Sequence, residues 1–294
     1  MKEMRIAALD IGGTKIKAGL FVGGVLTARG EADTCPQAGA AALMRRAGDL
    51  LETLGAFDAV GVSTAGQVRN GVISYANDNL PGYTGTDVRG VLGGRFGVPC
   101  AVVNDACAAA VGEGSDGAAR GFADYLCLTY GTGVGGGVVL DGRPYNGSGG
   151  SAGTAPGGLV THPEAIRAGD PYAGTYERYA SATALVAAAR GVEPTVIDGR
   201  ALFARMEEPA LRQVLEAWMD EVAVGLVSLV HLYNVPCVVL GGGVLEQSLV
   251  LEGVERRVRA HLIPGFDRVL LVQAALGNAA GLYGARKMAA ALLP

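Results

Sequence analysis

Four short stretches hold most of the side chains that could do chemistry. ALDIGGTK sets Asp10 at the edge of an apolar run, with Gly12, Gly13 and Thr14 after it. VVNDACAAA sets Asn104 and Asp105 between an apolar run and an alanine-rich one. LTYGTGVGGG breaks two apolar runs with Gly131, Thr132 and Gly133, and VVLGGG ends on Gly241, Gly242 and Gly243. Glycine turns between strands expose backbone N–H groups, which suit phosphate oxygens. A single turn is more simply a tight hairpin with no ligand. Three turns, with Asp10 and Thr14 at the first and Thr132 at the second, point to a polyphosphate ligand. The common phosphate signatures do not account for them, since GxxxxGK[ST] is absent. Gly131, Gly133 and Gly136 satisfy GxGxxG, but a dinucleotide fold needs a helix next, and Val138–Leu140 reads as another strand. Asp105 follows a strand and opens a helix, so its carboxylate can project from a fixed backbone into a cleft. The plainer reading of this residue is a helix cap, common for Asn-Asp before an alanine-rich run.

These residues need strands and helices to hold them. After the first glycine turn Ile16, Ala18, Leu20 and Val22 alternate, which reads as a half-buried strand. Residues 40–54 read as a helix, and AVGVSTAGQV as a strand entering a glycine turn. Ala101–Val103 reads as a strand, then a helix with Asn104 or Asp105 at its N-cap. The stretch 125–142 repeats the opening strand–turn–strand pattern about a hundred residues later, which implies two similar domains rather than a short repeat. Leu211, Val214, Leu215, Trp218 and Val222 have helical spacing within residues 209–233; VPCVVLGGGVL is a buried strand, and the chain closes as strand, glycine turn and alanine-rich helix. The Gly/Asp/Ser cluster at 112–121 marks the boundary. The expected division is 1–117 and 118–276, with a terminal helix of about 277–294 packing back on the first domain.

A chain of 294 residues, half of them hydrophobic and 18% charged, can bury a sizeable core. Its formal net charge is −4, and no Lys/Arg run resembles a nucleic-acid arm. The apolar run Val222–Val230 ends at His231, too short to cross a membrane. The first strand begins almost at once, so no signal peptide is expected. Cys35, Cys100, Cys107, Cys127 and Cys237 form no CxxC pair and read as reduced core thiols of a cytoplasmic protein.

DIGGTK, NDACAAAVGE, LTYGTGVGGG and VLGGGV resemble, in this order, the phosphate, catalytic, second phosphate and adenosine motifs of the ROK family, within the actin-like ATPase and sugar kinase superfamily. GVSTAGQVRNGVISYANDNLPGY is similar to the family's sugar-domain stretch, and QAALGNAAGLYGA to its C-terminal closure. The resemblance spans essentially the whole chain. It implies an α/β fold of two similar actin-like (ribonuclease H-like) domains, each a mixed sheet flanked by helices, around a cleft. It implies ATP and Mg²⁺, with the phosphates held by Gly12, Gly13, Thr14, Gly131, Thr132 and Gly133, the adenosine side by Gly241, Gly242 and Gly243, and Asp10 near the magnesium. A sugar would be contacted by Asn79 of NLPG, Asn104, Asp105, Thr154 and Glu177. Asp105 takes the role of general base, removing the proton of a sugar hydroxyl, normally that on C6. A homodimer is also implied, with neither nucleic acid nor membrane as partner. Lys15 reads equally well as a solvated strand residue and is left out of the site.

The sequence departs from the family at its Gly-Glu-x-Gly-His and zinc-cysteine segments. Here GGSAGTAPGGLVTHP puts Thr154 at the glutamate and Gly157, or with one insertion Gly158, at the histidine. No cysteine lies between Cys127 and Cys237, so no structural zinc is expected. Smaller residues at 154 and 157 are expected to leave space on the C1–C2 side of the sugar. His162 reads as a surface-loop residue, with a substitute role in sugar binding as the alternative, and Glu177 either as the family's last sugar-contacting carboxylate or as a solvated helix glutamate. The leading function is an ATP-dependent sugar kinase of glucokinase-like type. A catalytically silent sugar sensor is the alternative. A repressor would carry a helix-turn-helix before the first glycine turn, where only nine residues precede Asp10, and NLPG and ND disfavour an acyl-phosphate kinase.

Overall fold

The computed structural model describes residues 3–294. The alternation after the first glycine turn makes a hairpin: β1 (Arg5–Ile11) pairs antiparallel with β2 (Lys15–Val22), Ile11 facing Ile16 across the turn. β3 (Val25–Asp33) adds antiparallel to β2 as an edge strand. α1 (Ala40–Glu52) follows and buries Leu43, Met44, Ala47 and Leu51, one stripe at helical spacing. β4 (Ala59–Thr64) then runs parallel to β1. After a small hairpin, β5 (Gln67–Arg69) and β6 (Val72–Tyr75), and the helix α2 (Val88–Phe96), β7 (Cys100–Asn104) pairs parallel with β4. It leads directly into α3 (Asp105–Asp116).

The second sheet opens with β8 (Tyr125–Tyr130), β9 (Val134–Leu140) and the short β10 (Arg143–Pro144). Four helices follow: α4 (Tyr176–Ala180), α5 (Ala182–Val192), α6 (Gly199–Phe203) and the long α7 (Pro209–Tyr233). β11 (Cys237–Gly241), α8 (Ser248–His261), β12 (Leu270–Gln273) and α9 (Ala280–Ala290) complete the chain. Among the described residues two five-stranded sheets have the orders β3-β2-β1-β4-β7 and β10-β9-β8-β11-β12. Each reads third, second, first, fourth, fifth in order of appearance, so the sequence repeat is a repeat of topology.

The central strands are apolar on both faces because helices cover both. Ala7, Leu9 and Ile11 share a cluster with the stripe of α1, whereas Ile6 and Ala8, on the opposite face, pack with Leu282, Ala285 and Ala289 of α9. Glycines set the closeness of that second layer. A Cβ at Gly61 would overlap the Ala285 carbonyl, and one at Gly284 the Ala108 carbonyl. α9 therefore lies against α3 and β4 with backbone on backbone.

By compactness the chain forms two units. Unit 1 takes in the N-terminal segment to Ala123, Gly137–Thr154 and Ala275–Pro294; unit 2 takes in Asp124–Gly136 and Ala155–Ala274. The sequence division into 1–117 and 118–276 differs most at Gly137–Thr154, which clusters with unit 1. Gly137 accounts for this locally, since a Cβ there would lie 2.5 Å from that of Ala110 on α3. One cysteine reading needs correction: Cys35 is exposed, at a left-handed residue before a short 3-10 turn, while the other four are buried.

Candidate active site

Parallel strands bring their carboxyl ends to one edge of a sheet, the edge where open α/β sheets bind ligands. Asp10 pairs across β1 and β4 with Ser63, and Ser63 across β4 and β7 with Val103, so β1, β4 and β7 end in line. In unit 2, Gly241 of β11 pairs with Thr129 of β8 and leaves the second and third glycine turns at the matching edge. The residues singled out in the sequence thus sort onto equivalent edges of the two sheets.

In unit 1, the fully buried Ser63 donates from Oγ to Asp10 Oδ1 at 2.7 Å. Gly281 of α9 makes this bond possible: a Cβ there would lie 2.8 Å from Asp10 Oδ1 and 2.9 Å from Ser63 Oγ. Burial pushes the Asp10 carboxyl above its ordinary value, partly offset by the Ser63 bond and by the charge of Lys17. In the turn itself the Gly12 N–H donates to the Lys15 carbonyl at 3.0 Å, and buried Thr34 donates from Oγ1 to the Gly12 carbonyl at 2.7 Å. Gly12 thus shapes the turn. The N–H groups of Gly13 and Thr14 pair with no acceptor among the described residues, and both residues are exposed. Lys15 is held at the surface by Asp33 at 2.9 Å and Glu31 at 3.1 Å, outside the turn.

Asn104 is the N-cap of α3, accepting from the N–H groups of Ala106 at 3.0 Å and Cys107 at 3.2 Å. Its Nδ2 donates to the Gly66 carbonyl at 2.8 Å and to Asp105 Oδ1 at 2.9 Å. Capping therefore falls to Asn104, and Asp105 is held as a first-turn carboxylate, with the Ala106 N–H also on its Oδ1 at 2.9 Å. The side chain of Asp105 is reachable from solvent, yet protein surrounds it closely enough that desolvation is the largest influence on its pKa. That effect and the charge of Asp10 raise the pKa; the bonds from Ala106 and Asn104 pull the other way, and the net shift is upward.

Asn79 is exposed, its Cβ 4.0 Å from the position a Cβ would take on Gly13. Its loop is anchored beside it by buried Leu80 and Tyr83, the Tyr83 hydroxyl lying 2.9 Å from Thr64 Oγ1. Thr154 turns its hydroxyl back onto the Ser151 carbonyl at 2.8 Å.

In unit 2, the Gly131 N–H donates to the Gly133 carbonyl at 3.0 Å, closing the second turn as Gly12 closes the first. Gly131 and Gly243 have open space where a Cβ would go, and neither has a positive φ. No neighbour among the described residues requires glycine at either position. Gly242 differs, for its φ of +113° and the Tyr130 carbonyl beside it demand glycine structurally. Glu177 is half-buried rather than a solvated helix glutamate. Its Oε2 lies 3.5 Å from the Val134 N–H, and 2.6 Å and 2.9 Å from where Cβ atoms would sit on Gly133 and Gly157. The room expected at Gly157 is thus taken by Glu177 and the Val134 carbonyl, while Gly158 faces open space. His162 is likewise not a free surface residue. Its ring stacks on Tyr179 with centroids 3.6 Å apart, and its Nε2 lies 3.5 Å from Glu221 Oε1.

Among the described residues no group of three or more His, Cys, Asp or Glu side chains is gathered to hold a metal. Mg²⁺ carried by a nucleotide asks for less, one or two carboxylates plus phosphates, and half-buried Asp10 fits that demand. Sequence reasoning missed Ser63, Gly281 and Tyr83. Ser63 sits in an all-buried strand where a hydroxyl must find a partner, but only the register names Asp10 as that partner.

The ROK family pattern matches residues 6–291. The chain is similar to a ROK hexokinase from Thermus thermophilus, 33% identical over 99% of each chain with a TM-score of 0.87. It is similar to a ROK family glucokinase from Streptomyces griseus in complex with glucose and AMPPNP, 30% identical over 98% and 99% of the two chains with a TM-score of 0.82. It is also 32% identical to an N-acetylmannosamine kinase from Pasteurella multocida, over 96% of this chain and 95% of that one. Two sheets of one strand order, glycine turns at their carboxyl edges and these full-length matches have a single reading: the chain belongs to the ROK family of sugar kinases and their relatives.

Proposed function

We propose that this protein transfers the γ-phosphate of ATP to the C6 hydroxyl of a hexose or hexose derivative, with Asp105 as general base. The observation that carries the reading is Asp105 itself: it is not needed as the cap of α3, it is steered by Asn104, and its pKa is raised toward the range useful for accepting a proton. Asp105 takes the hydroxyl proton as the sugar oxygen attacks phosphorus in line. Phosphoryl transfer depends mainly on positioning and charge neutralisation, so one well-placed carboxylate suffices. Gly13, Thr14, Thr132 and Gly133 offer backbone N–H groups to the phosphates, and the open faces of Gly131 and Gly243 admit the nucleotide. Asp10, held by Ser63, would hold Mg²⁺ directly or through water, and that ion would neutralise phosphate charge. Asn79 and Glu177 contact the sugar.

The relatives act on glucose or N-acetylmannosamine, as their names state. Here Thr154 stands where the family carries Glu, and Gly157 or Gly158 where it carries His, which removes charged hydrogen bonds worth about 1.5–3 kcal/mol each. Free glucose should therefore bind weakly, around millimolar, and a sugar with an added group at C1 or C2 should do better through the open face of Gly158, since Glu177 fills the place at Gly157. The test compares kcat/KM for glucose, N-acetylglucosamine, N-acetylmannosamine and a β-glucoside, with ³¹P NMR locating the phosphate on the product. A C6 phosphate and a substituted sugar preferred over glucose support the reading. Phosphorylation elsewhere removes the C6 assignment, and glucose preferred by more than about tenfold, a gap of ~1.4 kcal/mol, removes the substituted-sugar preference.

A further inference from the structure

Two buried tyrosines stand next in sequence to the two functional groups of unit 2. Tyr130 ends β8 and precedes Gly131; Tyr176 opens α4 and precedes Glu177. Both are fully buried, their rings meet edge to face with centroids 6.2 Å apart, and their hydroxyl oxygens are 2.9 Å apart. The direction of the bond follows from proton counting. Tyr176 donates its one hydroxyl proton to the Val222 carbonyl of α7 at 2.6 Å, so Tyr130 must be the donor to Tyr176. Desolvation raises both phenol pKa values, so both stay protonated through the neutral range. α7 is cut away to admit the ring, since a Cβ at Gly225 would fall on Tyr176. Phenylalanine would fill nearly the same space as either tyrosine. What the hydroxyls add is a directed link from α7 through α4 to the end of β8.

We propose that Tyr130 and Tyr176 are positioning residues, a buried strut that fixes the second glycine turn against Glu177 so that nucleotide and sugar contacts are set together. This rests on the roles proposed above for that turn and for Glu177. The tolerance is narrow, because Glu177 Oε2 has only the missing side chains of Gly133 and Gly157 to occupy.

The test uses the full chain with Tyr130→Phe, Tyr176→Phe and the double variant. KM for ATP and KM for the sugar should rise together in each single variant, by about three- to tenfold, the worth of one neutral hydrogen bond, with kcat nearly unchanged. The double variant should add little, since either change breaks the same strut. Hydrogen exchange should be reciprocal: Tyr130→Phe should speed exchange in 176–180, and Tyr176→Phe in 131–134. Tyr130→Phe keeps the bond from Tyr176 to Val222, so it remains readable if the other variant folds poorly. A lowered melting temperature with both KM values unchanged would mean ordinary core residues and overturn the proposal, as would exchange changes confined to the mutated segment. If the wild type phosphorylates no sugar, the kinase reading falls, while reciprocal exchange still decides whether the strut exists.

Discussion

At Asp105 the surrounding protein disfavours the charged form, and this sets two expectations of opposite sign for Asp105→Asn. The amide keeps an oxygen for the Ala106 N–H and the Asn104 amide, so the local structure should persist. It cannot take a proton, so kcat should fall by about 10²–10⁴-fold while sugar binding survives. Stability should move the other way. The carboxyl has a higher pKa folded than unfolded, so the fold loses stability as pH rises from the ordinary aspartate value to the raised folded one. Above that window the variant should melt at a higher temperature than wild type, and below it the two should converge. Thermal melts at acid and neutral pH check this, and a variant less stable at neutral pH would return Asp105 to a structural role. The acid limb of kcat/KM should likewise lie above the ordinary aspartate value. That the site residues stand at strand ends was legible in the sequence, because Asp, Asn and Gly there break the apolar runs on either side. What was not legible was pairing across strands. Ser63 on Asp10, and Glu177 against Gly133 and Gly157, depend on register and on where α4 docks, which no local pattern encodes.

Alternation and helical spacing brought out the hairpin after Asp10, the helix 209–233 and the buried strand before Gly241, because each is a local pattern set by which face is buried. Contacts between distant segments were hidden. Buried Glu113 accepts the N–H groups of Ala118 at 2.8 Å, Ala275 at 3.1 Å and Leu276 at 2.9 Å, tying the end of α3 to the approach to α9. The glycines divide in the same way, for the sequence alone does not tell a close approach from a ligand-facing turn. Gly284→Ala should force α9 off the Ala108 carbonyl and cost about 1–3 kcal/mol or more. Gly94→Ala, on α2 with open space around it, should stabilise by about 0.4–1 kcal/mol. Urea unfolding of both variants checks the pair; equal effects would mean that glycine at 284 is not there for packing.

For the molecule as a whole, metal dependence follows from the ligand chemistry. Turnover should require Mg²⁺ and stop on chelation, since the phosphate charge needs neutralising. The purified protein should carry no stoichiometric zinc, because the segment from 158 to 181 offers His162 with no cysteine, and that histidine is engaged by Tyr179 and Glu221. Elemental analysis after dialysis checks the second point, and about one zinc per chain would mean that this segment has been misread. The repeated strand order was legible as a repeated glycine turn, whereas the return of Gly137–Thr154 to unit 1 was not, because it depends on Gly137 meeting α3.

The central claim is sugar phosphorylation with Asp105 as base, and ADP release with and without sugar, in wild type and Asp105→Asn, tests it most directly. The expected result is sugar-dependent ADP release matched by sugar phosphate in the wild type, and at least about 100-fold slower release in the variant with sugar affinity retained. Wild-type turnover in Asp105→Asn, or ADP release indifferent to every sugar offered, would contradict it.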